Sequence, residues 1–384
     1  MTFDCLYCAQ IKLISESSLE HAVPQFLGGA QAPSHFRLHN VCRICNNRLG
    51  LHVDGAYAKS WFVTNALAEA ARKYYSGPGQ SQPFPLTCIG PINVPGLLHA
   101  ENAVAENWLG PSGETIIWVR TGDDALYWYS GGNPIHRKHQ STAYFLPVTD
   151  DPIRLQMGVE AFVGGFKKTK ARRIFGATVD GLPPGTAYPG FHLPTAEDDA
   201  NVEAIRTAIR AGLIQGQLQI NTKFDFRFVC KTALAIGFSL FGRSYLATAE
   251  AREARLGLWP VLSTRSNVRG SPTLFNNPQF AQVVGYEGAV VITVMRTGGA
   301  YVMAMTVDRS LPFIVALCSD ALNSNLIDPE KGYSLLLFPQ LQQCLELNTV
   351  DMLAHIMEST VNPDLAVIDK QRAAAVSFWK TLSR

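Results

Sequence analysis

The sequence predicts an α+β protein in two parts, a small metal-stabilised module at the N-terminus and a larger mixed region after it. Three observations carry that expectation. Four of the eight cysteines stand in two tight pairs, Cys5/Cys8 and Cys42/Cys45. The run from Ser76 to Pro85 is glycine, proline, serine and glutamine almost throughout, which cannot sustain a helix and marks a boundary. Beyond it, stretches with strand-like and helix-like patterning alternate, with no internal repeat and no low-complexity tract.

The 384 residues allow two or three domains. Hydrophobic residues make up 47% and charged residues 17%, enough for buried cores and inconsistent with global disorder. A net charge of +2 is too mild to mark a nucleic-acid binder by itself, so any basic surface must be local. The N-terminus lacks the basic and apolar regions of a secretory signal. The longest apolar run, Val229 to Phe241, contains Lys231 and falls short of the roughly 18–20 residues that cross a bilayer. It reads as a buried helix. The expectation is a soluble, cytoplasmic protein with no membrane partner.

The first domain is expected over residues 1–75 and the second over 87–384, with a possible division near 197–223. From Asp54, a candidate N-cap, the residues Tyr57, Trp61, Ala68, Ala71 and Tyr75 recur near the helical period. Farther on, Glu114–Arg120 and Ala125–Ser130 read as strands, and Ala196–Leu213, Phe224–Tyr245 and Asp364–Leu382 as helices. Ala289–Arg296 and Ala300–Val307 read as a hairpin across Thr297-Gly298-Gly299.

The two C-x2-C pairs are separated by 33 residues. Each is a knuckle that turns two thiolates to one side, and two knuckles complete a tetrahedral four-cysteine zinc site. Their separation exceeds the roughly 15–20 residues of a common zinc ribbon, so the knuckles enclose something. Cys88, Cys230, Cys318 and Cys344 stand singly in apolar surroundings and read as packing residues.

What the knuckles enclose is Leu19-Glu20-His21-Ala22-Val23-Pro24, then Gly28-Gly29, then Leu38-His39-Asn40-Val41. The second knuckle runs on as Cys42-Arg43-Ile44-Cys45-Asn46-Asn47-Arg48. In that order, over about the first 55 residues, the chain resembles the HNH endonuclease family, in the branch with the pattern C-x2-C, E-H-x-x-P, G-G, C-x2-C-N. The resemblance implies a ββα-metal fold, two antiparallel strands and a helix around one divalent cation, and an enzyme that hydrolyses phosphodiester bonds. It implies His21 as general base and Glu20 as a cation ligand. Asn46 stands where the family more often has a histidine, with Asn47 in reserve, and an amide carbonyl suits magnesium or manganese rather than nickel or zinc. Asn40 is the candidate for orienting the base, although it lies closer to Cys42 than in the usual pattern, and His39 could substitute. Asn46 and Asn47 could also simply cap a helix, and Gly28-Gly29 reads as a turn.

For nucleic acid, the sharpest basic cluster is Lys167, Lys168, Lys170, Arg172 and Arg173, which could neutralise backbone phosphates. A solvated helix face would look the same. Arg227 and Lys231, four apart, are a weaker hint. Trp108, Trp118, Tyr127 and Trp128 could stack on bases, although such residues in strands are more often core. The partner expected is DNA, with RNA not excluded. Cutting a duplex takes two strand cuts, which favours a homodimer. The resemblance places such an enzyme in bacterial or phage restriction and defence. A defence effector gated by an unidentified ligand, and a zinc-knuckle protein that binds nucleic acid without cutting it, are the alternatives.

Overall fold

Two short hairpins organise the start of the chain. In the first, β1 (Thr2–Asp4) pairs with β2 (Ile11–Leu13), and the first knuckle is the loop between them. In the second, β3 (Ser17–His21) runs antiparallel to β4 (Arg37–Cys42), with Ser17 opposite Cys42 and His21 opposite Arg37. The register slips between Ser18 and Glu20, a bulge that re-aims the side chains after it. Helix α1 (Arg43–Leu49) follows β4 without a loop, so the expected ββα unit is present. The computed structural model that shows this describes residues 1–121, 141–167, 169–176, 188–216, 222–260, 265–271, 278–319 and 321–382.

The single helix expected from Asp54 onward is instead a series of pieces. A π-helical turn, Gly50–Asp54, continues α1 and leads into α2 (Gly55–Lys59). Ser60 is extended, at φ −55° and ψ 130°, and α3 (Trp61–Arg72) starts after it. Asp54 therefore caps nothing, because it lies inside the helical stretch with its carboxylate turned inward. Asn46 and Asn47 are likewise inside α1 rather than at its start.

The chain forms two compact units, one of Met1–Ala58 with Asn221–Ala374, the other of Lys59–Ile220 with Ala375–Arg384. The second is built on a six-stranded sheet of β5 (Thr87–Asn93), β6 (Ala103–Leu109), β7 (Thr115–Thr121), β8 (Ser141–Leu146), β9 (Ala171–Phe175) and β10 (Gln215–Gly216), in the order β10-β5-β6-β7-β8-β9. Only β8 and β9 pair in parallel. Helix α4 (Pro152–Gly165) starts at Asp151, whose carboxylate accepts the Arg154 N–H at 2.8 Å with proline in the first turn. Helix α5 (Ala196–Arg210) starts with a reciprocal pair between Thr195 and Asp198. It stops three residues short of the expected end. Trp108 and Trp118, weighed as base-stacking residues, lie in this unit's core with Phe145 and Phe162, only 7% and 2% exposed. Tyr127, Trp128 and the expected strand Ala125–Ser130 lie outside the described residues.

The first unit continues with α6 (Thr222–Phe241), the apolar run read as a buried helix. It ends before Tyr245, at Gly242, whose φ of +66° suits a residue without a Cβ. Helix α7 (Ala249–Leu258) follows. The sheet of this unit is wholly antiparallel, in the order β11-β14-β13-β12-β15-β16. Its strands are β11 (Gly270–Ser271), β12 (Val290–Thr297), β13 (Ala300–Val307), β14 (Ser310–Ser319), β15 (Tyr333–Phe338) and β16 (Gln343–Leu347). The expected hairpin is β12–β13, with Thr297 opposite Ala300 and both turn glycines at positive φ. Strand β15 is buried at every position, hence its unbroken Leu335-Leu336-Leu337-Phe338 in place of alternation. The remaining helices are α8 (Pro278–Val284) and α9 (Thr349–Ile356), together with α10 (Pro363–Leu382), which belongs to this unit as far as Ala374 and to the other from Ala375. Among the described residues no helix is long and apolar enough to cross a membrane.

Candidate active site and zinc knuckles

The first knuckle is closed by backbone bonds. Cys5 N–H donates to Gln10 O at 2.9 Å, Ala9 N–H donates to Cys5 O at 2.9 Å, and Ala9 itself is left-handed at φ +55°. The second knuckle is the junction of β4 and α1, with Cys42 at the strand end and Cys45 in the first helical turn. The Cys42 N–H points at Cys5 Sγ, 3.4 Å away, which ties one knuckle to the other. All four sulfurs lie within 4.8 Å of one another. The Cys45 thiol beside it holds Cys5 down to about 4, whereas Cys8 and Cys45 are pushed up, Cys8 chiefly by burial and Cys45 chiefly by the Cys5 thiolate. Four thiols this close ionise together only around a cation, and four converging sulfurs, three buried and that of Cys8 half-buried, are the donor set that zinc takes. Cys88, Cys230 and Cys318 are buried as expected; Cys344 is half-buried, its thiol donating to Gln31 O at 2.8 Å.

Between the knuckles, the Gly28-Gly29 step follows a short 3₁₀ turn, Gln25–Leu27. Gly28 is left-handed at φ +91°, and a Cβ on Gly29 would sit 1.7 Å from Val23 O. The second glycine is there for close backbone approach as well as for the turn.

Residues 5–62 match the family model for HNH endonuclease. The segment is an HNH module. No curated protein and no solved structure matched the chain.

Within the HNH module, His21 ends β3 and is half-buried. Its imidazole has no hydrogen-bond partner among the described residues. Burial, with Arg37 and Lys231 assisting and Glu20 opposing, pulls its pKa below the usual histidine value, so it is neutral at pH 7. Asn46 Nδ2 donates to Leu19 O at 2.8 Å and to Ser18 Oγ at 3.1 Å, so α1 is tied to the bulge in β3. The Asn46 Oδ1 has no such partner among the described residues. Asn47 is exposed, and Asn40 is half-buried on β4, its carbonyl accepting the Leu6 N–H at 2.8 Å. His39 is exposed, its carbonyl taken by Ser17 Oγ.

Glu20 points the other way from His21, as neighbours on a strand do. Its Oε1 accepts the Tyr7 hydroxyl at 2.9 Å and lies 2.7 Å from Lys231 Nζ. The same ammonium lies 2.7 Å from Asp54 Oδ2. Burial works against the Lys231 charge, but Asp54 and Glu20 together hold its pKa above the ordinary lysine value. Asp54 is pushed up to about 6 by burial, with Lys231 pulling the other way. Glu20 and Asn46 thus offer the hard oxygen donors that magnesium or manganese takes, but the Glu20 carboxylate is already paired with the ammonium it shares with Asp54. The donor chemistry fits a divalent cation and the availability of Glu20 does not. Among the described residues the four cysteines are the one group of three or more His, Cys, Asp or Glu side chains close enough to share a metal.

Sequence reasoning set Lys231 among possible phosphate contacts, whereas the structure buries it in the module. The available signal was a single cation inside an apolar run, which demands a partner. Arg227 Nε donates to Leu258 O at 3.0 Å, and its guanidinium lies over the Trp259 ring. Arg48 also lies over that ring. A groove of about 440 Å³ runs beside the knuckles, lined in part by Lys12, Arg48, Arg255 and Trp259. Arg255 and Trp259 reach the first knuckle directly, donating to Leu6 O at 2.9 Å and Tyr7 O at 3.0 Å.

Of the basic cluster in the second unit, Lys167 and Lys170 are exposed and Arg172 and Arg173 lie on β9. The cluster occupies a turn and a sheet strand rather than a helix face. Arg172 is held by Asp198 at 2.6 Å, and Lys168 lies outside the described residues.

Proposed function

We propose that this protein is an endonuclease that hydrolyses phosphodiester bonds in DNA, with His21 as its general base. The observation that carries the reading is the state of His21. It sits at the strand end of the ββα unit, half-buried, free of hydrogen bonds among the described residues and neutral at physiological pH. Such an imidazole is suited to take the proton from a water that attacks a backbone phosphate. Asn40, or His39 beside it, is proposed to orient the ring. Magnesium or manganese is the cofactor this chemistry brings with it, to stabilise charge on the phosphate and leaving oxygen. Asn46 Oδ1 is the donor free for it.

The basic groove beside the knuckles, and Lys167, Lys168, Lys170 and Arg173 in the second unit, with Arg172 held beside them by Asp198, are proposed to hold the phosphate backbone. A homodimer would supply the second cut of a duplex, and restriction or defence in a bacterial cytoplasm is the setting the family suggests. One observation favours a second reading, nucleic-acid binding without cleavage: Glu20 already has its counter-ion.

Incubation with supercoiled plasmid, single-stranded DNA and RNA, each with magnesium or manganese, separates the two. Plasmid nicking or linearisation is expected. Because the base must be neutral, the rate should be level above pH 6.5 and fall as the pH drops below the depressed pKa of His21. Binding to all three nucleic acids with no cleavage of any would overturn the enzyme reading.

A further inference from the structure

We propose that Lys231 is the resident cation of the HNH module, taking the place on Glu20 that a divalent metal ion would take, so that Glu20 is a counter-ion and not a metal ligand. The inference rests on the reading of residues 5–62 as a nuclease module, and it changes what one residue of that module does. A divalent ion in a protein is held by converging carboxylate oxygens. Here two carboxylates from different elements, Glu20 on β3 and Asp54 on the turn after α1, converge on one point, and Lys231 Nζ stands at that point, 2.7 Å from each.

The lysine and both carboxylates are 3%, 5% and 18% exposed, so water does little to screen them. Glu20 Oε1 has a second donor as well, the Tyr7 hydroxyl at 2.9 Å, which uses both lone-pair directions of that oxygen. A divalent ion on the remaining oxygen would share the carboxylate with a fixed ammonium. The lysine is also firmly placed, because α6 is packed into the unit: Phe228 stacks on Tyr57 of α2 at 3.8 Å, with the rings 3° from parallel. What stays unmatched is on the other carboxylate, where Asp54 Oδ1 is buried with no partner among the described residues. A metal used in cleavage would then be held without Glu20.

Manganese binding to the zinc-loaded full chain tests this, read from the free-ion electron paramagnetic resonance signal with no nucleic acid present. Wild type and Glu20→Gln, at equal zinc content and equal circular dichroism, are expected to titrate alike, whether both bind the ion or neither does. A Glu20→Gln protein that binds manganese tenfold or more weakly than wild type overturns the proposal. If Glu20→Gln does not fold, Lys231→Met with Asp54→Asn leaves a single carboxylate released from its ammonium. That pair is expected to bind manganese at least tenfold more tightly than wild type, and unchanged affinity overturns the proposal. Because the readout is ion binding, a chain that cuts no nucleic acid leaves these outcomes readable, and failure of the nuclease reading shows separately in the cleavage assay.

Discussion

Replacing Cys42 by serine, or stripping the metal with a chelator, is expected to unfold the HNH module outright. Cys42 supplies one of four sulfurs, and its N–H donates to a second one, on Cys5. A structural zinc of this kind contributes on the order of 10–16 kcal/mol of apparent binding free energy, as large as or larger than the net stability of a typical domain. Without it, β1–β2 and β3–β4 are hairpins too short to stand alone. The expected result is one zinc per wild-type chain and much less in Cys42→Ser, with an early unfolding transition that added zinc does not restore. Full zinc content and an unchanged melting curve in Cys42→Ser would remove the four-cysteine site from the account.

Lys231→Met is expected to cost about 3–5 kcal/mol at pH 8, the usual penalty for leaving buried charge without its partner. Two carboxylates then share one interior site. The penalty should shrink on acidification, and the sign follows from Asp54, whose pKa is already raised to about 6 in the folded protein. A carboxyl group held above its unfolded value takes up a proton more readily in the native state, so the native state gains as pH falls through 6 toward 4. Urea unfolding of wild type and variant at pH 8 and pH 5.5 measures both points. A lysine in contact with nucleic acid at the surface would instead be neutral to stability at either pH. A cost below about 1 kcal/mol at pH 8 would mean that the triad is not closed in solution.

What the sequence revealed and what it hid divide along contact order. The knuckles, Glu20-His21 and Cys45-Asn46 are short-range patterns, and the ββα unit they announce is there. The hairpin at Gly298-Gly299 was legible because its turn chemistry is local. Lys231 was not, since its partner Asp54 is 177 positions away and no periodicity reports that pairing. Asp54 itself matched the pattern of a helix cap, and only the π-turn at Gly50–Asp54 turns its carboxylate inward. Arg172 was equally ambiguous: it reads as a free cation in a basic run, yet Asp198, 26 positions on, holds it. Nor could local motifs reveal that the first knuckle is braced by Arg255 and Trp259, which donate to Leu6 and Tyr7 from about 250 residues away. An HNH module excised at residue 75 would leave Lys231, Arg255 and Trp259 behind.

The central claim, that this module cuts DNA through His21, is tested most directly by plasmid cleavage with wild type and His21→Ala at matched zinc content and with manganese present. His21 has no hydrogen-bond partner among the described residues, so its removal should leave zinc binding and melting temperature in place. Loss of a positioned base typically costs about 10²–10⁴ in rate. The expected result is cleavage by wild type and a loss of that size in the variant. Equal cleavage by the two proteins would contradict the account.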